Sequence, residues 1–245
     1  MPQDLIDLLW RDHADAPRTG ARGPRSRLSV TQVVDAGIAI ADVDGLAALT
    51  VRRLGERLGI SAMSVYTHVN SRDDLLVLMA DAVHQRMPRP EFSPAGWRAR
   101  VRAVAEAELA QYTSHSWLLD VVDPRLNLGP GTIGRYDHEL HAFDGVALDD
   151  VTRDAALTFV LDFVRAAARA STAPPEDLGE DWATLGARLE HYVGGDFPMA
   201  TRVGAAAGAS MQMAYSPDHA WTFGLERVLD GLSAVIESER AHDHA

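Results

Sequence analysis

The sequence predicts an all-α protein, with an N-terminal three-helix helix-turn-helix head followed by a larger helical C-terminal domain. Three observations predict it. Between Thr50 and Leu76, TVRRLGERLGISAMSVYTHVNSRDDLL, two short helical patterns flank a tight Leu58-Gly59-Ile60 turn, and a third helix start follows at Ser71. That is the spacing of a helix-turn-helix, in which one helix braces a second against the DNA major groove. Capping residues stand at four successive helix starts: Ser29, Thr50, Ser61 and Ser71. No period-2 alternation competes with the helical periods anywhere in the chain.

Residues 1–28 read as a flexible basic arm. Asp4 to Arg11 carries Leu5, Ile6, Leu8 and Leu9 at the spacing of a short amphipathic helix. Pro17, Gly20, Gly23 and Pro24 then punctuate a tract containing Arg18, Arg22, Arg25 and Arg27. Such an arm is disordered when free and able to follow DNA into the minor groove, and the two are compatible.

The head spans 29–88. Ser29 caps its first helix, with Gln32 at the reciprocal position, and Asp44-Gly45 turns the chain at the far end. Thr50 caps the second helix, whose inward residues are Val51, Leu54 and Leu58; Gly59 suits the left-handed position beyond it. Ser61 caps a third helix over 62–67. Ser71 caps a fourth that runs to about Met87, where Pro88 and Pro90 break it.

The body spans 89–245. Helices are expected over 97–113, 132–142, 149–170, 176–192 and 217–240, with a short apolar element at Trp117-Leu118-Leu119 and a loose small-residue segment over 194–216. The 149–170 helix is strongly apolar but interrupted by Asp162 and Arg165. Those charges require partners, in each other, across an interface or in a ligand.

Composition narrows the function. The 245 residues carry a net charge of −12 and no cysteine, which excludes disulfides, zinc–thiolate sites and thiol catalysis. No apolar run approaches ~18 residues, so no membrane span is expected, and without a secretory pattern the expected location is the cytoplasm. All 23 basic residues are arginine. Acidity alone argues against nucleic acid, but residues 16–72 carry eight arginines and four acids. That leaves +4 on this stretch and −16 on the remainder of the chain, the asymmetry of a DNA-binding module.

These residues together resemble the TetR family of transcriptional repressors. Leu49-Thr50-Val51-Arg52-Arg53-Leu54-Gly55, Leu58-Gly59-Ile60, Val65-Tyr66-Thr67-His68-Val69 and Leu75-Leu76 reproduce the family's head pattern. The region from Trp97 onward is similar to the subgroup with a tetracycline-repressor-like C-terminal domain, through Trp117-Leu118-Leu119, Gly129-Pro130 and Phe223-Gly224-Leu225. The resemblance implies a ligand-binding and dimerisation body. It implies a homodimer on a palindromic, double-stranded operator, released by a small-molecule effector. The alternatives are a DNA-binding regulator whose body takes a protein partner, and an all-α enzyme. No catalytic motif stands in the sequence, and no cofactor or metal is expected. Pro88 and Arg125 occupy the positions where the subgroup's magnesium-chelate pattern has histidines.

The DNA-contact set expected is Arg22, Arg25, Arg27, Thr50, Arg52, Arg53, Ser61, Ala62, Met63, Ser64, Tyr66, His68 and Arg72. In the family such a tyrosine reaches a phosphate, while its ring can equally pack on the first helix. Ala62 and Met63 suit thymine methyl groups, and no arginine or glutamine on this helix gives bidentate base readout. Thr50 and Ser71 cap, with backbone contacts as a further role. For the effector pocket the candidates are Tyr112, Trp117, Arg125, Asn127, Tyr136, His141, Phe159 and Phe163; for the dimer interface, Leu161, Arg165, Trp221, Leu225, Val228 and Leu232. The aromatic residues serve equally as plain core.

Overall fold

A computed structural model describes residues 4–16, 28–92, 96–172, 182–193, 195–211 and 216–243. Among them there is no strand, and no helix is long and apolar enough to cross a membrane. Eleven α-helices follow in order: α1 (Leu5–Leu9), α2 (Val30–Ala48), α3 (Val51–Leu58), α4 (Ala62–Val65), α5 (Arg72–Arg86), α6 (Trp97–Ser114), α7 (Pro130–Leu140), α8 (Asp150–Thr172), α9 (Trp182–Val193), α10 (Pro198–Met211) and α11 (Pro217–Asp243). Tight 3₁₀ turns at Ser116–Asp120, Pro124–Leu128 and His141–Phe143 link α6 to α8 around α7.

The four cap residues of the head all close their helices. Ser29 and Gln32 make the reciprocal pair, at 3.2 and 2.8 Å. Thr50 accepts from the Arg53 amide (3.2 Å), Ser61 from Ser64 (3.1 Å) and Ser71 from Asp74 (3.0 Å). Each contributes about 1 kcal/mol. Gly59 follows α3 at φ 68°, the left-handed region where a Cβ is strained. Asp44-Gly45 does turn the chain: Gly45 sits at φ 74°, outside the helical region, although the surrounding hydrogen bonds carry α2 on to Ala48.

α5 is the axis of the molecule. Every residue from Asp74 to His84 is buried, as befits a helix apolar on nearly all sides. It packs on α2 in the head, on α7 in the body and on α1 of the N-terminal arm. Its approach to α7 is close because Gly131 lies there: a Cβ would fall 2.1 Å from the Asp81 carbonyl oxygen. The Asp81 carboxylate accepts the Thr132 amide at 2.9 Å, satisfying an orphan donor in the first turn of α7. One continuous apolar core therefore runs from Val33 and Leu54 through Val77 and Met79 to Trp117, Val160 and Leu229.

Two expectations are corrected. The arm over 1–28 is not free along its whole length. α1 buries Leu8 and Leu9 to 2% and 4% exposure, and the Trp10 indole donates to the Leu128 carbonyl at 2.9 Å. Burying two leucines outweighs the entropy of ordering one turn. Within the segment expected to be loose, residues 198–211 form α10, which buries no residue within the protomer. Alanine at several of its positions supplies high helix propensity, which the glycines around it obscured.

Candidate DNA interface and effector pocket

α3 and α4 meet across the Gly59 turn, and the buried side chains Leu54, Val65 and Val69 hold them together. That packing leaves Ser61, Ala62, Met63 and Tyr66 on the exposed side, with Met63 75% exposed and Tyr66 44%. Ser61 and Ser64 hydroxyls bond each other at 2.8 Å, beside the Ser61 cap. Burial lowers the His68 imidazole below its ordinary value, so at neutral pH it offers an uncharged nitrogen.

The arginines of the head differ in what they hold. Arg53 pairs with Asp44 at 2.5 Å and Arg52 with Glu56 at 2.9 Å, both at the surface. Arg72 reaches back to the carbonyls of Leu46 (3.0 Å) and Leu49 (3.4 Å), so it ties the start of α5 to the end of α2. Arg22, Arg25 and Arg27 lie outside the described residues.

The residues expected to line one effector pocket are not brought together. Trp117 is 2% exposed and its indole donates to Asp42 at 2.7 Å. Tyr112 lies beneath the Arg165 guanidinium, 5.8 Å from ring centre. Arg125 is held by Asp74 and Asp123, each at 2.7 Å. Asn127 is exposed; Tyr136 donates to Asp154 and His141 pairs with Asp144, both at the surface. Phe159 is 52% exposed, and Phe163 stacks on Trp221 at 5.5 Å. Periodicity identified apolar helices here but not which side of each faces inward.

A cavity of about 310 Å³ lies where α2, α5 and α6 meet. Ile38, Val83, Met87, Pro88, Ala107 and Ala110 form its apolar wall; Arg86, Gln111, Ser114 and His115 supply the polar groups. A small set of polar groups in an apolar cleft is the character of a small-molecule site. Arg86 is engaged by Asp35 of α2 at 2.6 Å, and His115 Nδ1 lies 2.7 Å from the Asp42 oxygen that also accepts from Trp117. Asp42 thus joins the head to the body at the cavity's edge. The sequence did carry a sign of Gln111. It falls on the buried stripe Val101, Val104, Ala105, Glu108, Gln111, Tyr112, where a polar residue is anomalous.

Deeper in the body, Arg135 donates to both Glu108 oxygens at 3.0 and 3.1 Å, and Glu139 lies 3.7 Å from its Nε. Burial pushes the Glu139 carboxyl up to about 8 despite Arg135. Burial, with Arg135 and Arg165 beside it, holds His84 down at about 3, so that ring is neutral and bonds Thr132 at 2.8 Å. Among the described residues no cluster of three or more histidines and carboxylates has metal-site geometry.

The dimer candidates also divide. Leu225, Val228 and Leu232 are 1–5% exposed and pack inward within the protomer, where α11 lies on α8 and α6. They cannot also form the interface, because the inner side of α11 is already covered. Leu161, Arg165 and Trp221 are half-buried, and the exposed large apolar groups among the described residues of these two helices are Val151, Phe159, Phe223 and Val235.

Comparison with known proteins agrees with this architecture. The model of the tetracyclin-repressor-like C-terminal domain matches residues 89–236. The HTH-type transcriptional repressor DrrR1 of Streptomyces coeruleorubidus is 32% identical over 243 residues, covering 96% of this chain and 87% of that protein. The Streptomyces coelicolor TetR-family protein ActR in complex with actinorhodin superposes with a TM-score of 0.72 at 26% identity, over 86% of this chain and 99% of that one. BioQ on its double-stranded DNA operator shares the fold, with a TM-score of 0.59 at 20% identity over 85% of this chain and 99% of that one. With a matching domain model over more than half its length and a repressor relative along nearly all of it, this chain belongs to the TetR family of transcriptional repressors.

Proposed function

We propose that this protein is a homodimeric, ligand-responsive repressor whose two heads enter successive major grooves of a palindromic operator. A two-fold dimer sets their spacing at ~34–36 Å. The observation that carries this is the head. A capped α4 stands exposed at Ser61, Ala62, Met63 and Tyr66 on a rigid base of buried leucine and valine, within a net-positive segment. Tyr66 and the free donors of Arg52, Arg53 and Arg72 contact phosphates; Ala62 and Met63 meet base edges. Arg22, Arg25 and Arg27 extend that contact along the backbone. The domain limits are 29–88 for the head and 89–245 for the body, and the dimer forms on the outer side of α8 and α11 around Phe159 and Phe223.

The effector site is the cavity at the junction of α2, α5 and α6. A molecule there touches the head directly through Ile38, and through His115 it touches Asp42. Occupancy that favours a different head position must weaken DNA binding by the same free energy. The protein acts as a regulator and not as a catalyst, in the cytoplasm where its operator is. The test is release of the protein from a promoter fragment of its own gene by small molecules, actinorhodin and neutral polycyclic compounds among them. Ala110→Phe fills the cavity from α6. Wild type released by a compound, with the variant bound to DNA but not released, supports the assignment. A variant released at the wild-type concentration would remove the cavity from the mechanism.

A further inference from the structure

The short helix α1 joins the head to the body. Its Leu8 and Leu9 are buried, and it packs on α5. The Trp10 indole donates to the Leu128 carbonyl, in the turn that leads into α7, at 2.9 Å. Arg11, the next residue, reaches the head. Its Nη2 donates to the Thr31 hydroxyl in the first turn of α2 at 3.2 Å, and its Nη1 to the Leu8 carbonyl at 2.8 Å. With the side chain 26% exposed and each Nη on a protein oxygen, this guanidinium is committed to the joint.

Thr31 belongs to a row of such contacts. Thr31, Asp35, Ile38 and Asp42 recur at i, i+4, i+7 and i+11, so they share one side of α2. Asp35 pairs with Arg86 at 2.6 Å, Ile38 walls the cavity, and Asp42 holds His115 at 2.7 Å. That side of α2 is where the head sits on the body, and α1 holds its first turn. The docking of α1 is shallow, because two leucines and a few hydrogen bonds work against the chain entropy of residues 4–16. A shallowly held element that spans a domain joint has two states close in free energy.

We propose that α1 is a strap: docked, it fixes the start of α2 against the body and holds the head in its DNA-binding position, and undocked, it lets the head turn. The inference rests on the reading of the head as the DNA-binding unit and requires no particular effector. α1 then acts on DNA through the position of α2, without touching the duplex.

The experiment uses the full-length protein and variants that keep every charge: Leu8→Ser with Leu9→Ser, Thr31→Val, and the three combined. Each is followed by amide hydrogen exchange and by promoter binding across a salt series. In wild type the amides of α1 are protected. In the serine pair they exchange freely, the first turns of α2 exchange faster, and α11 is unaltered. Promoter affinity of the serine pair is expected to fall about tenfold with the salt slope unchanged, because every arginine is retained. Thr31→Val alone is expected to lose about fivefold, and to add nothing on the serine background, since both act through one contact. Free exchange of α1 in wild type, unchanged promoter affinity in the serine pair, a shallower salt slope, or a full further loss from Thr31→Val on the serine background overturns the strap. If the serine pair fails to fold, Trp10→Phe takes its place, removing the bond to Leu128 and leaving the two leucines in the core. The two levels separate. A wild type that binds no promoter removes the DNA reading, and exchange alone then decides the strap: undocking α1 must still loosen the first turns of α2, and an unaltered α2 overturns it.

Discussion

At the residue scale, burial decides which side chains carry charge and which carry contacts. Tyr66 is 44% exposed at the end of α4, and Tyr66→Phe removes only the hydroxyl. A lost phosphate bond of about 1 kcal/mol weakens DNA binding roughly fivefold. The loss is equal on operator and random duplex, because phosphates carry no sequence information. Fluorescence anisotropy on both duplexes checks this; a loss confined to the operator would place Tyr66 at a base. Glu139 gives a pH prediction. Its carboxyl is held up to about 8 by burial, so between its ordinary value and 8 the folded state binds a proton that the unfolded state has released. Stability therefore falls as pH rises through that window, by up to about 1.4 kcal/mol per pH unit. Glu139→Gln removes that slope, and urea melts at pH 6 and pH 8.5 will show the variant's advantage growing with pH. A difference independent of pH would mean that Glu139 is ionised throughout. His84 slopes the other way, since its value is depressed: its share of stability is lost as pH falls from about 6.5 toward 3.

At the element scale, close approaches of backbone fix the geometry on which function depends. The α5–α7 contact needs Gly131, because a Cβ there would meet backbone oxygen of Asp81 at 2.1 Å and backbone does not yield as a flexible side chain would. Gly131→Ala is expected to cost about 1–3 kcal/mol and lower the melting temperature, while distant head substitutions leave it nearly unchanged. An unaltered melting temperature would show that α7 can shift freely. The contact between the head and the 3₁₀ turn after α6 depends on Asp42, which holds both His115 and Trp117. Asp42→Ala frees two donors and is expected to loosen the head, so that DNA binding weakens about tenfold without effector. Unchanged affinity would mean that another contact sets the head position. The helices of the head were legible in the sequence because each has its own cap and its own breaker; Ser29, Thr50, Ser61 and Ser71 act locally. The pocket was not legible for the opposite reason. Gln111 and Ile38 are 73 positions apart and meet only through the packing of α2 on α5 and α6. Trp117 and Tyr112, aromatic residues of a type that also lines pockets, are core. α10 was missed because glycine punctuation outweighed alanine propensity in the reading of 194–216.

At the scale of the whole molecule, the separation of charge organises the function. A stretch over 16–72 that carries +4 within a chain whose remainder carries −16 directs approach by DNA to that stretch. The one continuous core carries any displacement at the cavity into α2 and α5. The outer apolar groups Phe159 and Phe223, 52% and 58% exposed, are what a second copy would cover. Phe223→Glu places two like charges near the two-fold axis, and sedimentation at micromolar concentration is expected to find a monomer that binds a single half-site weakly. A dimer of wild-type stability would move the interface elsewhere, with α9 and α10, which bury no described side chain, as the next surface to test. The all-α class and the division into head and body were visible in the sequence, since both rest on period and composition. The inward orientation of Leu225, Val228 and Leu232 was not, because a helix apolar around most of its circumference does not declare which side meets its own protomer.

The central claim is that this chain binds a specific duplex through its head, and the most direct measurement is binding of the full-length protein to a labelled fragment of its own promoter across a salt series. Saturable binding is expected, at least a thousandfold tighter than to random duplex, with log affinity falling linearly with log salt as phosphate contacts release counterions. Affinity equal on promoter and random DNA, or binding indifferent to salt, would contradict the account.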